Sequence, residues 1–395
     1  MSLHRRAFLL GLGGAVALGK ARMALAAGPA GEKRLVVVML RGALDGLAAV
    51  APYGDADHAG LRGPLALPEP GQEGGVLDLG GHFGLHPALS RMHALYAADQ
   101  AIMLHAVAGP WRSRSHFVAQ DFMESGATQR LEQGWLNRAL TALPAEREGH
   151  SRLGLAVGLD LPLLLRGPAR VGSYAPGTRP HPETGTLALL ARWHAEDGML
   201  GPAFAEGLRA RGFSTAVLAG QAPPPPGTNG FVALAGAAGR LLANPRGPRV
   251  AAMEVGGWDT HTDQVGQLAR ALRRLDEGMD ALRDGLGDAW AQTAVLIMTE
   301  FGRTARFTGS TGTDHGTGTV SFVLGGAVRG GRVLADWPGL APAHLYENRD
   351  LMPTMDVRRI AKGLLAGHLG LDGEALARAF PDSQDATPLQ GLLRG

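Results

Sequence analysis

The sequence predicts a doubly wound α/β fold, with a mostly parallel sheet and helices on both of its faces. Three apolar runs carry that expectation. Leu35–Leu40, Arg249–Val255 and Ala294–Met298 are each short enough to be strands buried on both sides. Each leads at its carboxyl end into a segment bearing an acid: Asp45, Asp259 and Glu300 in turn. Between the second and third runs, Val265, Leu268, Leu272, Leu275, Met279, Leu282 and Leu286 form one helical stripe. That strand–helix–strand series is expected to be a right-handed βαβ unit.

The chain opens on His4-Arg5-Arg6-Ala7-Phe8-Leu9-Leu10, a Gly-diluted apolar segment to Leu18, and Ala24-Leu25-Ala26. A basic pair, a modest apolar stretch and a small-residue cleavage site read as a twin-arginine export signal over residues 1–26. The segment is too short and Gly-rich to span a membrane comfortably. Residues 27–395 are read as one domain, periplasmic or secreted, with the twin-arginine translocase as its partner during export and no stable membrane span in the mature chain. The leader holds four basic residues and no acid, so its loss turns the formal charge of +2 into −2. A near-neutral mature chain gives no electrostatic case for nucleic acid. The absence of cysteine excludes disulfides, thiolate metal sites, a Cys nucleophile and a lipidated leader.

After the first strand, Arg41–Gly46 carries Asp45, and a Gly/Pro/Asp-rich excursion runs to about Gly84. Pro87–Ala98 has helical spacing, and Ala101–Val107 is a strand whose His105 is read as a packed core residue. Next come Arg112, Ser113, Arg114, Ser115 and His116, then a helix through Glu124. Ser115 at that helix start has two readings, an N-cap or a nucleophile beside His116 and Arg114. Residues 149–227 are read as a variable insertion, with a strand at Leu153–Val157 and a stiff Pro223–Gly227 linker. A helix is expected over Asp356–Leu365, and poor order after Phe380.

The chemistry gathers at strand ends. Asp45, Asp259, His261, Glu300, Asp314 and His315 all fall just beyond strands of the expected sheet, where open α/β folds bind ligands. Carboxylates with imidazoles suit a divalent metal, Zn2+ or Mn2+ above Mg2+ or Ca2+. A solvated loop with a structural ion pair is the plainer alternative, and no compact signature of the HExxH type is present.

Five segments carry a resemblance: RGALDGL (Arg41–Leu47), RSHFVAQDFMESG (Arg114–Gly126), GWDTHTDQ (Gly257–Gln264), EFGRT (Glu300–Thr304) and TDHGTG (Thr313–Gly318). Together with GGAVRGGRV and DVRRI downstream, they resemble the exported bacterial family of domain of unknown function 1501. That family looks like a branch of the alkaline phosphatase and sulfatase superfamily, which implies an alkaline phosphatase-like sheet with a two-metal site. By position, Asp45 resembles the first-strand metal ligand, Ser115 the nucleophile, Asp259 and His261 the Asp–His pair, and His315 the late histidine. The chain departs at Glu300-Phe301, where the superfamily commonly has Asp-His. One imidazole is lost there, with His116 a candidate substitute.

The expected function is therefore hydrolysis of a small-molecule or glycan phosphate or sulfate ester. Ser115 is the expected nucleophile, with Arg303 or Arg114 on the remaining ester oxygens. The alternative is a non-catalytic exported protein that binds a carbohydrate, an envelope component or another protein.

Overall fold

The structure is a computed structural model that describes residues 33–144, 154–158, 160–175, 184–198, 200–220 and 230–395. The twin-arginine leader and the Pro223–Gly227 run lie outside the described residues. Twelve strands occur among the described residues. They are β1 (Arg34–Arg41), β2 (Val50–Ala51), β3 (Leu77–Asp78), β4 (Gly84–Leu85), β5 (Ala101–Ala108) and β6 (Gly154–Val157). The remainder are β7 (Val171–Tyr174), β8 (Val250–Gly256), β9 (Thr293–Thr299), β10 (Thr319–Leu324), β11 (Arg332–Leu334) and β12 (Met355–Asp356). Nine of them form one sheet in the order β11-β5-β10-β9-β1-β8-β6-β7, with β12 also on β5. Only β10 runs against the rest. β2, β4 and β3 make a small separate sheet.

Strand β1 is central because it is apolar on both faces. Val36, Val38 and Leu40 pack into one core with Leu268, Leu272, Leu275, Met279 and Leu282 of the helix Gln264–Leu286. Leu35, Val37 and Met39 point the other way, toward Ile360, Leu364 and Leu376 of the helices Val357–Gly367 and Gly373–Ala379. Two cores on alternating residues of one strand define the doubly wound arrangement. Each fully buried aliphatic side chain contributes about 1.5–3 kcal/mol to that packing.

The three acid-bearing strands are neighbours. β1 pairs in parallel with both β8 and β9, and Leu40 sits level with Val255 on one side and Thr299 on the other. Their carboxyl ends therefore open at one height. Gly42 turns there with φ +120°, and a Cβ on it would lie 2.8 Å from the Asp259 nitrogen, so only glycine fits. The EFGRT and TDHGTG segments lie antiparallel beyond β9, joined by Gly302 N–H to Thr317 O (3.0 Å), Gly316 N–H to Gly302 O (2.8 Å) and Thr304 N–H to Asp314 O (2.8 Å). A Cβ on Gly316 would meet the Arg303 carbonyl carbon at 2.4 Å, which explains the glycine after His315.

Within residues 149–227, β6 and β7 extend the main sheet. One expectation is corrected. The segment after Phe380 is packed: Leu392 is buried, Leu393 bridges to Val328, and the Leu389 N–H donates to the Arg359 carbonyl. Its few apolar residues suffice because each lands against the helix Val357–Gly367 or the Val328 turn. Among the described residues, no helix is long and apolar enough to cross a membrane.

Candidate metal centre

Four side chains meet above the sheet, one from the start of the helix after β5, two from the loop after β8 and one from the polar loop before β10. His116 is the first residue of the helix His116–Ser125, which follows β5 and ends at Gly126 in the left-handed region, φ +68°. Its Nδ1 donates to Glu300 Oε1 at 2.8 Å. Glu300 is buried just beyond β9, and Oε1 also accepts from Gly42 N–H (2.9 Å) and Gln120 Nε2 (2.9 Å). Burial pushes the Glu300 carboxyl up, but the bonds from His116, Gln120 and backbone amides outweigh it and hold the group below the usual range. In turn the hydrogen bond to Glu300 draws His116 above the ordinary imidazole value against its burial.

His315 follows Asp314 in the polar loop and donates from Nδ1 to the Arg114 carbonyl at 2.8 Å. Asp259 and His261 come from the loop after β8. Asp259 is pushed up by partial burial, but the Arg303 guanidinium, whose Nη1 sits 2.5 Å from Oδ1, together with His261 and His116 brings it below its usual value. His261 is lowered, by burial first and then by the Arg303 charge.

The three Nε2 atoms and Asp259 Oδ1 converge. His116 Nε2 lies 3.1 Å from His315 Nε2 and 3.4 Å from Asp259 Oδ1. His261 Nε2 lies 3.0 Å from His315 Nε2 and 2.9 Å from the same oxygen, while His315 Nε2 is 3.1 Å from it. A tetrahedral site with metal–ligand bonds of 2.0–2.1 Å has ligand–ligand edges of about 3.3 Å, close to those among His116, His315 and Asp259 and to those among His261, His315 and Asp259. The proton count supports the same reading. Nδ1 of His116 and of His315 each donate to an oxygen acceptor, so in their neutral forms both Nε2 atoms turn lone pairs on each other. A cation among them would remove that opposition of lone pairs. The donor set therefore fits one metal ion, and His116, Asp259 and His315 form a group able to hold it.

Other predicted residues stand differently. Glu300 does not reach the centre and instead orients His116, as outer carboxylates do for metal-binding histidines. Asp45 is buried, ion-paired with Arg62 and bonded to Gln264 Nε2, so its oxygens are committed elsewhere. Arg303 is buried and spends its donors on Asp259 and Thr313. Arg114 is held by Asp350 and Glu347. Asp314 lies at the rim, bonded to Arg349 Nη2 and to the His315 N–H, with Oδ1 4.0 Å from His261 Nδ1. It groups with His261 and His315, and His315 also belongs to the first group, so among the described residues the two groups are not independent sites. Ser115 occupies the N-cap position without a side-chain capping bond and is exposed, between Arg114 and His116.

His116 is absent from the set of ligands expected from strand ends, because it starts a helix rather than ending a strand. The available signal was a histidine in a first helical turn directly after Ser115. Phe301 explains the departure at Glu300-Phe301: its ring stacks on His116 (5.0 Å between centroids) and lies 5.2 Å from His315. Phe301 thus packs against two of the convergent imidazoles.

Fold and site together define a doubly wound α/β protein with a histidine–carboxylate group at the carboxyl edge of its sheet. The chain belongs to the family described as "Protein of unknown function (DUF1501)", whose model matches residues 96–380. A comparison with curated proteins finds no match. Among solved structures the chain is similar to Ps i-CgsB in complex with k-i-k-neocarrahexaose, at 10% identity and a TM-score of 0.40, over 90% of this chain and 77% of that one. It is also similar to the C-terminal periplasmic domain of EcEptC from Escherichia coli in complex with Zn, at 10% identity and 0.35, over 75% and 74%. Phosphonate monoester hydrolase of Agrobacterium radiobacter matches at 12% identity and 0.36, over 85% and 74%. At such values the likeness concerns the path of the chain and assigns no activity.

Proposed function

We propose that the protein is an exported, metal-dependent hydrolase of phosphate or sulfate esters, with Zn2+ or Mn2+ as its ion. The observation that carries this reading is the convergence of His116, His261 and His315 Nε2 on Asp259 Oδ1. His116, Asp259, His261 and His315 hold the ion, and Glu300 keeps the Nδ1 proton of His116 pointing away from it. When bound, the ion supplies Lewis acidity toward ester oxygens. Ser115, exposed and unused as a cap, attacks the phosphorus or sulfur, the alcohol leaves, and water releases the acid. Export rests on Arg5, Arg6 and Ala24-Leu25-Ala26 in the sequence alone.

The non-catalytic reading draws on one specific feature, the engagement of both Arg303 and Arg114 by carboxylates. One experiment separates the two. Protein loaded with Zn2+ or Mn2+ is assayed on aryl phosphates and aryl sulfates, beside Ser115→Ala. Turnover that needs the metal and is lost in Ser115→Ala supports the hydrolase. Metal binding without turnover on either class favours the binding protein.

A further inference from the structure

Asp45 lies apart from the convergent histidines, yet it is tied to them by an unbroken line of buried hydrogen bonds. Its Oδ2 accepts from Gln264 Nε2 at 2.5 Å and from Arg62. Because a carboxylate only accepts, the Gln264 amide has a fixed orientation, with Oε1 toward Thr313 Oγ1 (2.6 Å) and Thr260 Oγ1 (3.0 Å). Thr313 has then given its only hydroxyl proton to Gln264, and its oxygen accepts Arg303 Nε at 3.1 Å. Arg303 Nη2 is fixed on the Thr313 carbonyl, which leaves Nη1 on Asp259 Oδ1 at 2.5 Å. Each link has one fixed sense: donation runs outward from Arg303, on one side through Thr313 and Gln264 to Asp45 and on the other directly to Asp259.

Burial makes the line stiff. Asp45, Gln264, Thr313 and Arg303 are each 1% exposed or less, whereas the Asp259 side chain is 42% exposed on a loop. A satisfied polar network inside the protein rigidifies what it holds. Its one exposed end is the oxygen that faces the three imidazoles.

We propose that Asp45, Gln264 and Thr313 are positioning residues, which set Asp259 in the metal centre by fixing the Arg303 guanidinium. This rests on the metal reading above. It gives the predicted first-strand acid a part in the site without direct contact.

The test compares Thr313→Val, which removes the link at nearly constant shape, with Thr313→Ser, which keeps the hydroxyl. Zn2+ titration, the visible spectrum of the Co2+-loaded protein and unfolding of the metal-free protein are measured for both and for the wild type. Thr313→Val is expected to bind Zn2+ about 10–100-fold more weakly, the usual cost of an outer-shell loss, with an altered Co2+ spectrum. Thr313→Ser should restore both. If Thr313→Val binds Zn2+ and Co2+ as the wild type does and loses only metal-free stability, the residue is structural and the proposal is wrong. Should Thr313→Val not fold, Gln264→Met breaks the same line and carries the same two outcomes. A wild type that binds no Zn2+ or Co2+ overturns the metal reading itself and this proposal with it. Equal binding by wild type and variant overturns the positioning role alone.

Discussion

Glu300 Oε1 accepts the Nδ1 proton of His116 at 2.8 Å, across 184 residues of sequence. That contact selects which nitrogen of His116 faces Asp259, His261 and His315, and it joins the end of β9 to the start of the helix His116–Ser125.

Glu300→Gln tests the contact. The amide oxygen can still accept two hydrogen bonds, but the charge is gone and Gly42, Gln120 and His116 compete for it. Zn2+ affinity is expected to fall about 10–100-fold, as for other outer carboxylates. Calorimetric titration giving the wild-type constant would place Glu300 outside the workings of the site.

His315→Ala removes an imidazole without leaving a buried charge, so the metal-free fold should survive. Zn2+ binding should weaken steeply, and the rise in unfolding temperature with added Zn2+ should shrink with it, because a ligand of the native state stabilises by mass action. A full Zn2+-induced shift in the variant would make His315 a loop residue.

Acid stability has a definite sign. Burial lowers His58, His86, His105 and His368 from 6.5 to about 4. Between those values the unfolded chain binds protons that the folded chain refuses. Stability from these groups is therefore fully present above about 6.5 and is lost as pH falls toward 4, by about 1.4 kcal/mol per pH unit for each histidine. His116, raised in the fold, acts in the opposite sense. Urea unfolding of the metal-free protein at stepped pH should show falling midpoints through this window. Midpoints that hold steady or rise on acidification contradict the assignment.

Export is tested by Arg5→Lys with Arg6→Lys, which keeps charge but not the arginine pair. Uncleaved precursor is expected to remain in the cell, as read by fractionation. Normal accumulation of mature protein outside the cytoplasm contradicts a twin-arginine route.

Much of the frame was legible because strand and helix periods differ. β1, β8 and β9 stand out as apolar runs, and each is followed by its acid, so the neighbourhood of Asp259 and Glu300 follows from parallel pairing alone. Side-chain direction was not legible. Asp45 and Glu300 look like ligands by position, but Arg62 is set against one and His116 against the other, and neither partner adjoins its acid in sequence. A helical start gives no strand-end signal, so His116 entered only as a candidate substitute for the imidazole lost at Glu300-Phe301. The C-terminal segment was misjudged for a related reason: Leu389, Leu392 and Leu393 find their partners near residues 327–329 and 359, far back along the chain.

The central claim is that His116, His261, His315 and Asp259 surround one cation. X-ray absorption at the Zn edge, on protein reconstituted with one equivalent of Zn2+, tests it most directly. The expected result is a four-coordinate shell at about 2.0–2.1 Å with three imidazoles and one oxygen, reduced to two imidazoles in His116→Ala. A wild-type shell containing fewer than two imidazoles, or one unchanged by His116→Ala, would contradict it.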